Sequence, residues 1–348
     1  MTVPTVLQSL YDYDNWVNDR LFDVVERVPE ARTREEFGGS FDTIHGTYAH
    51  ILQGETYYYT RWTGQPLPTE GRPAHLKTIA ELRRRWTEIH GNVATFLESL
   101  TPEGVARVVQ HSLRGGASWE LPLWQLMLQM QNHGTHHRAE LADMLTRVGH
   151  VPPPTDYIVF CNERTHGQAG AGLTELDLTI VRSLYAYHYW VTDRLLDLAE
   201  QVPLERTRER FGGSFDTIHG TLVHLLSAEF VWGSRWHGVS PTSMLKEDEF
   251  ADVKVIRARW AEQRPQVQRF VDAVTAEQAS APLAYTNTSG VQFELPTWQP
   301  MVQLVSHGTH HRAELADMLT RVGLPPAPTD YSVFCQEQPA LASGRAAA

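Results

Sequence analysis

Histidines spaced four residues apart are the side chains of this sequence best suited to chemistry. The run HGTHHRAELADMLTRVG begins at His133 and recurs without change from His307. In each run two histidines lie four positions apart, His133 with His137 and His307 with His311. On a helix this spacing places both imidazoles on one face, one turn apart, so that they can bind one ion. The sequence therefore predicts a pair of metal ligands in each run.

A third ligand must come from another element, and one other repeated block contains histidines. The residues from Gly38 to Thr47 recur as Gly212 to Thr221, and His50 and His224 follow them, whereas the stretch at about 66–117 has diverged from 240–291 and has no matched histidine. Spacing alone does not choose between the two histidines of this region. Three neutral imidazoles and a water would form an open, four-coordinate site for zinc or nickel. The matched pairs are His45/His219, His50/His224, His133/His307, His136/His310 and His137/His311.

The four-residue spacing alone is a weak signal, because chance, helix caps and polar faces also produce it. Its recurrence beside a second matched histidine favours a metal site. The residues between His133 and His137 lack the glutamate of a zinc-protease helix, which argues against that reaction. The Glu-x-x-His pairs of a di-iron bundle are missing as well.

The repeat indicates two copies of one domain. A chain of 348 residues is long enough for about two domains of roughly 150 residues each. The repeated unit is far longer than a solenoid repeat of roughly 20–50 residues. We predict domains at 1–162 and 175–338, a glycine-containing linker at 163–174 and a disordered tail at 339–348.

Four helices are predicted in each copy. Leu7, Leu10, Val17 and Leu21 follow the three-to-four-residue spacing of a helix with one buried stripe. The proline-containing tail that includes PPPTDYIVFCNE is expected to be irregular or extended. In the first copy we predict helices at 6–28, from Ser40 as N-cap to 62, at 76–100 and at 123–147, with a short hairpin within 105–122 that has a glycine turn at 114–116; the second copy begins with a helix at 178–202.

Composition restricts the class of protein. The 42% hydrophobic and 20% charged residues are typical of a globular protein, and a net charge of −11 argues against nucleic acid as a partner. No apolar stretch approaches the roughly 20 residues of a membrane span, so no membrane partner is expected. Cys161 and Cys335, one in each copy, suggest no disulfide framework, and a reducing cytoplasm is the simplest location. Each cysteine follows Tyr-x-Val-Phe, which favours buried packing over a reactive thiol.

Further polar residues could form part of the site. Residue 14 lies on the inward stripe of the first helix and is Asp14 in one copy but His188 in the other. It is either a wall of a pocket near the metal, or an extra ligand, or a side chain at the rim of the bundle. We interpret His45, His136 and their counterparts as polar surface residues or as residues that support the ligands. Residues at i−4 and i+3 on the ligand face could accept or donate a hydrogen bond with an imidazole: Gln129, Gln303, Glu140 and Glu314.

The motifs together resemble a known family. His50-Ile-Leu-Gln-Gly-Glu, followed by Arg61-Trp62 and then by Asn132-His-Gly-Thr-His-His-Arg-Ala-Glu, resembles the DinB-like (damage-inducible) metal-binding bundle family. The resemblance covers nearly all of each copy. It implies a four-helix bundle, commonly dimeric, with a three-histidine site for a divalent metal. The ligands that it implies are His50, His133 and His137, and then His224, His307 and His311.

The expected fold is all-α, with two tandem four-helix bundles related by a pseudo-two-fold axis, so that the chain is an intrachain pseudo-dimer and could be a monomer. Related bundles include S-transferases and isomerases that use low-molecular-weight thiols. We therefore expect a metal-dependent enzyme that activates a thiol or a water to attack a small-molecule substrate, with S-transfer preferred over hydrolysis. The alternatives are a non-catalytic metal-binding bundle of the stress response, and a bundle whose histidines are polar core residues without metal.

Overall fold

The computed structural model describes residues 3–66, 75–112, 118–164 and 172–344. The chain divides into two compact units. Unit 1 contains Met1–Thr155 and Asp330–Cys335, and unit 2 contains Asp156–Thr329 and Gln336–Ala348. The division therefore falls at Thr155 and not at residue 162, where the sequence placed it. Each unit also includes a short segment that follows the long helix of the other repeat.

Unit 1 is built on four long helices. Helix α1 packs against α3 and α5, and α2 packs against the same two helices, so that the four form a closed bundle. The predicted hairpin is confirmed as two antiparallel strands, with Val108 opposite Pro122; its predicted glycine turn at 114–116 lies outside the described residues. The elements are α1 (Thr5–Val25), α2 (Ile44–Thr63), α3 (Ile79–Ser99), α4 (Pro102–Ala106), β1 (Val108–Ser112), β2 (Ser118–Pro122) and α5 (Leu123–Arg147).

Unit 2 repeats this arrangement. Helix α7 packs against α10 and α12, and α9 packs against the same two helices. The all-α fold with a duplicated four-helix bundle is thus confirmed. The elements of the remaining chain are α6 (Tyr157–Arg164), α7 (Glu175–Ala199), α8 (Leu204–Thr207), α9 (Ile218–Trp236), α10 (Val253–Ala273), α11 (Ala276–Ser280), β3 (Pro282–Thr286), β4 (Gln292–Pro296), α12 (Trp298–Arg321), α13 (Tyr331–Glu337) and α14 (Pro339–Ala342).

The apolar stripes predicted from sequence form the core of each bundle. Leu7, Leu10, Val17 and Leu21 of α1 are all buried. Helix α5 ends before Gly149, whose positive φ of 82° suits a residue without a side chain. Among the described residues, no helix has the length and apolarity that crossing a lipid bilayer requires.

The start of α2 differs from the prediction. The N-cap is Thr43, whose side chain accepts a hydrogen bond from the Gly46 amide at 2.9 Å. Ser40 cannot cap this helix because Asp42, with a φ of 58°, turns the chain between them. The Ser40 hydroxyl instead donates a hydrogen bond to Glu140 of α5 at 2.7 Å.

The tails also differ from the prediction. Residues 151–156 are irregular, as their prolines suggest, but a helix begins at Tyr157. Tyr157, Phe160 and Cys161 are buried, and their i, i+3, i+4 spacing forms one apolar helical face. This short amphipathic pattern was missed because the prolines before it dominated the interpretation. The tail at 339–348 is not disordered throughout, because α14 packs against α7.

The observed cap leads to a stability prediction. Replacing Thr43 with alanine removes the acceptor for the Gly46 amide and should lower the free energy of unfolding by about 1 kcal/mol. Thr217→Ala should have the same effect, since Thr217 accepts from Gly220 at 2.8 Å. Urea denaturation measures the loss, and Thr43→Ser, which retains the hydroxyl, is the control. Equal stability of Thr43→Ala and wild type would contradict the assignment.

Candidate metal centre

Three histidines from two helices meet in unit 1. Helix α2 provides His50, and α5 provides His133 and His137. Ring nitrogens of the three lie within 4.8 Å of one another, and the Nε2 atoms of His50 and His133 are 2.9 Å apart. The helical phase therefore selects His50 over His45, which does not belong to this group.

Unit 2 contains the same arrangement. Helix α9 provides His224, and α12 provides His307 and His311. Their ring nitrogens also lie within 4.8 Å of one another, and the Nε2 atoms of His224 and His307 are 2.8 Å apart. The structure thus brings together both sets of three side chains that the family resemblance implied. Their binding of a metal stays a prediction.

A glutamate orients the last histidine of each set. His137 Nδ1 lies 2.6 Å from a carboxylate oxygen of Glu140, and His311 Nδ1 lies 2.7 Å from one of Glu314. A ring nitrogen that donates to a carboxylate leaves Nε2 unprotonated and available to a metal. Glu140 and Glu314 therefore have the supporting geometry that their i+3 positions suggested.

The environment favours the neutral form of four of the six imidazoles. Burial, followed by the proximity of His137, lowers the pKa of His50 to about 4. Burial and the neighbouring histidines lower the pKa of His224 to about 2 and that of His311 to about 4. The pKa of His133 is also well below its ordinary value, chiefly because of burial. Neutral imidazole is the form that binds metals, so proton competition is weak at neutral pH.

The loop before α2 is tied to the same carboxylate. Ser40 and Ser214 donate their hydroxyls to Glu140 and Glu314 at 2.7 and 2.8 Å. Burial raises the pKa of Glu140, but hydrogen bonds from His137 and Ser40 and the nearby histidines bring it down to about 2. The carboxylate thus stays charged and connects the loop to the histidine site.

An aromatic ring from this loop covers part of each site. The Phe41 ring stacks on His50 with centroids 3.6 Å apart, and the Phe215 ring stacks on His224 at 3.8 Å. The sequence analysis assigned neither Phe41 nor Ser40 to the site and considered Ser40 only as a helix cap. The unchanged recurrence of the block from Gly38 to Thr47 was the signal that could have identified them.

The glutamines at i−4, which were expected to hydrogen-bond an imidazole, each donate to an aspartate instead. Gln303 does not hydrogen-bond an imidazole but donates to Asp156 at 2.8 Å, and His307 Nδ1 lies 2.8 Å from the same carboxylate oxygen. In unit 1, Gln129 donates to Asp330 at 2.6 Å. Asp156 and Asp330 were not singled out in the sequence because they lie in the tails, far along the chain from the histidines.

Asp14 belongs to a separate buried cluster of unit 1. Its carboxylate pairs with Arg138, and its second oxygen lies 3.5 Å from His90 Nε2. His90 also bonds Glu55 at 2.7 Å. Burial opposes the imidazolium, but Glu55 and Asp14 outweigh it, so the pKa of His90 is raised. The two carboxylates are thus balanced by one guanidinium and one proton.

His188 lies in the matching cluster of unit 2, which is balanced differently. Arg312 contacts His188 Nδ1 at 2.7 Å, and burial together with this cation lowers the pKa of His188 to about 4. His188 Nε2 is 3.5 Å from Glu229. Arg264, which replaces His90, pairs instead with Asp193 at 2.9 Å. One carboxylate, one guanidinium and a neutral histidine therefore replace two carboxyl groups, one guanidinium and a histidine of raised pKa. Neither Asp14 nor His188 joins the three-histidine groups.

The remaining candidates lie outside the ligand groups. His219 Nε2 lies 3.0 Å from the backbone carbonyl of Phe250 and forms a hydrogen bond with it. This histidine does not belong to the three-histidine group. His136 and His310 each lie 3.8 Å from the glutamate that orients their neighbour. Cys161 and Cys335 are buried thiols, and burial raises the pKa of Cys161 to about 12 and also raises that of Cys335. The cysteines thus occupy packing positions and are poor nucleophiles.

The donor set fits a divalent transition metal. Three converging, largely buried imidazoles, with no cysteine joining them among the described residues, suit a divalent transition metal better than the oxygen-preferring ions. The carboxylates on Nδ1 supply the support that metal-bound histidines ordinarily have. This fit makes the two groups compatible with divalent metal binding.

The fold and the two sites define a duplicated helical-bundle protein with a histidine cluster in each bundle. The sequence profile of the DinB family matches residues 1–168 and 174–342, so the chain belongs to the DinB family. It is also similar to Protein DinB of Bacillus subtilis (strain 168), with 23% identity over 156 residues, which is 43% of this chain and 90% of that protein.

The two buried clusters differ in their expected response to loss of the arginine. Arg138→Met leaves Asp14 and Glu55 short of a cation in the core and should lower the free energy of unfolding by about 3–5 kcal/mol. Arg312→Met, the matched control, removes a group that contacts the neutral His188, while Glu229 retains the hydrogen bonds from Trp260 and Gln263, so it should lower the free energy by only about 1–3 kcal/mol. Urea denaturation compares the variants, and a larger loss for Arg312→Met would contradict the charge balance.

The lowered histidine pKa values predict a pH dependence of the metal-free protein. Between pH 7 and 5 the unfolded chain protonates His311 near pH 6.5, whereas the folded chain, with a pKa of about 4, does not. The free energy of unfolding should therefore fall with falling pH, with a contribution from this residue of up to about 1.4 kcal/mol per pH unit. His311→Gln should flatten the slope in urea titrations with EDTA. Parallel slopes for the two proteins would show that His311 titrates normally.

Proposed function

We propose that this protein binds one divalent transition metal, zinc or nickel, in each unit and is a metal-dependent enzyme that acts through a thiol or a water. The convergence of three imidazoles from two helices in each unit, with two Nε2 atoms 2.9 Å apart in one unit and 2.8 Å apart in the other, is the observation that carries the proposal.

An open fourth position supports a catalytic role over a purely structural one. Among the His, Cys, Asp and Glu side chains of the described ranges, no fourth ligand joins either three-histidine group. Structural zinc sites are closed by a fourth protein ligand, whereas catalytic sites have three and one open position. A divalent ion held here would lower the pKa of a thiol or water enough to give a nucleophile at neutral pH.

The thiol would have to come from a small molecule. Both cysteines of the chain are buried, and their thiol pKa values are raised, so neither supplies a thiolate. The resemblance to thiol-dependent S-transferases and isomerases makes S-transfer from a low-molecular-weight thiol the preferred reaction. Phe41 and Phe215, stacked beside the sites, are suited to contact an apolar part of a substrate.

Two other functions stay as alternatives. A metal-dependent hydrolase would use the same open position for water. A non-catalytic metal-binding bundle of the stress response would use the metal only for stability. Chelation separates the metal-binding proposals from a bundle without metal, since a bound ion stabilises the folded state.

Elemental analysis of the purified, untagged chain is the first test. We expect about one equivalent of zinc or nickel in each unit, since each has a complete donor set. His50→Ala and His224→Ala should each remove about one equivalent, because two imidazoles hold such ions weakly. His75→Ala, which changes an exposed histidine outside both groups, is the control. No bound metal and no uptake of added metal would contradict the proposal.

The cobalt-substituted protein tests whether the fourth position is open. Addition of a small thiol such as cysteine should shift the visible d–d bands and add a thiolate charge-transfer band, and the double variant His50→Ala/His224→Ala should show neither change. Transfer of the thiol to 1-chloro-2,4-dinitrobenzene, followed by absorbance, then separates S-transfer from hydrolysis of 4-nitrophenyl acetate. A spectrum unchanged by thiol would point to a closed, structural site.

A further inference from the structure

The second site takes one of its supporting residues from the end of the first repeat. Asp156 lies directly before α6 and belongs to unit 2. His307 Nδ1 lies 2.8 Å from its Oδ1 atom, to which the imidazole donates. Gln303, one turn before His307 on α12, donates to the same oxygen at 2.8 Å. The side-chain carbonyl of Gln303 in turn accepts a hydrogen bond from the backbone amide of Ile158 at 2.8 Å. The carboxylate is therefore fixed against the histidine from two sides.

In unit 1 a glutamine also bonds an aspartate and a backbone amide, but this aspartate does not have the same contact with a histidine. Gln129 donates to Asp330 at 2.6 Å and accepts from the Ser332 amide at 2.8 Å. In the described parts of the chain, no hydrogen bond joins Asp330 to His133, the counterpart of His307. The two sites therefore have equal sets of three histidines but differ in the support of one of them.

This difference has a direct consequence for metal affinity. A carboxylate that accepts from Nδ1 fixes the tautomer and the ring orientation and makes Nε2 more basic. In unit 2, His307 and His311 both have such a partner, whereas among the described residues of unit 1 only His137 has one. Loss of this kind of support weakens metal binding by about 10- to 100-fold. Because the Asp156 side chain is 43% exposed, we expect an effect near the lower limit.

We propose that Asp156 is a positioning residue of the second three-histidine site and makes that site the tighter metal site of the two. The inference rests on the proposed metal binding. It also implies that the second site is incomplete in the domain at 175–338 that sequence analysis delimits, because Asp156 precedes that domain.

Single-site proteins allow each affinity to be measured separately in the full-length chain. His50→Ala leaves only the second site, and His224→Ala leaves only the first. Zinc affinity is measured by competition with a chromogenic chelator. We expect the His50→Ala protein to bind zinc about 10-fold more tightly than the His224→Ala protein, given the extra carboxylate.

Substitution of the two aspartates then tests the assignment. In the His50→Ala protein, Asp156→Ala should weaken zinc binding by about 10-fold, and Asp156→Asn, which retains an acceptor but loses the charge, by less. The matched change Asp330→Ala in the His224→Ala protein should alter affinity by less than about 3-fold, because that carboxylate contacts no ligand. Urea midpoints of the metal-free variants control for loss of structure.

The tautomer of His307 gives a readout that a merely structural role would not change. With ¹⁵N-labelled histidine, the His307 ring should be protonated at Nδ1 in the metal-free protein and lose this preference in Asp156→Ala. Equal zinc affinities of the two single-site proteins, together with no effect of Asp156→Ala, would overturn the inference and leave the proposed function intact. No zinc uptake by either single-site protein would overturn both.

Discussion

The neutrality of three clustered imidazoles is the constraint on which the site depends. Rings whose Nε2 atoms approach to 2.9 Å and 2.8 Å cannot all be protonated, because the charges would repel one another in a largely buried space. Burial and, after it, the neighbouring histidines lower the pKa values of four of the six rings. The carboxylates on Nδ1 of His137 and His311 leave the Nε2 atoms of these two rings unprotonated. Glu140 orients the His137 ring by accepting a hydrogen bond from it, and Ser40 in turn holds Glu140 in place.

The glutamate and the preceding loop link this constraint to the bundle. Glu140 receives hydrogen bonds from His137 and from Ser40, so that one carboxylate holds both a ring of α5 and the loop before α2. Asp42, in the left-handed region at a φ of 58°, directs Phe41 over His50. The same combination recurs in unit 2, and its unchanged sequence reflects a set of contacts in which each residue depends on the others.

The second buried cluster shows how the two copies diverged while each retained a balanced core. In unit 1 the positive charges of Arg138 and of a raised-pKa His90 offset Asp14 and Glu55. In unit 2 a neutral histidine replaces the aspartate, and the arginine in place of His90 pairs elsewhere. Charges change together because an unpaired ion in a bundle core is strongly destabilising. The difference at residue 14 is therefore explained by the core on the far side of the ligand helix, without reference to the metal.

The sequence by itself determined the duplication, the four long helices and the pair of histidines on one helical face, because these follow from repetition and from the 3.6-residue period. The family resemblance added His50, which spacing could not distinguish from His45. Only the tertiary structure decided that Thr43 and not Ser40 caps α2, since the left-handed Asp42 between them has no clear local signal. It alone brought Asp156 to His307, because a contact across such a long stretch of chain depends on how helices pack and not on any local periodicity.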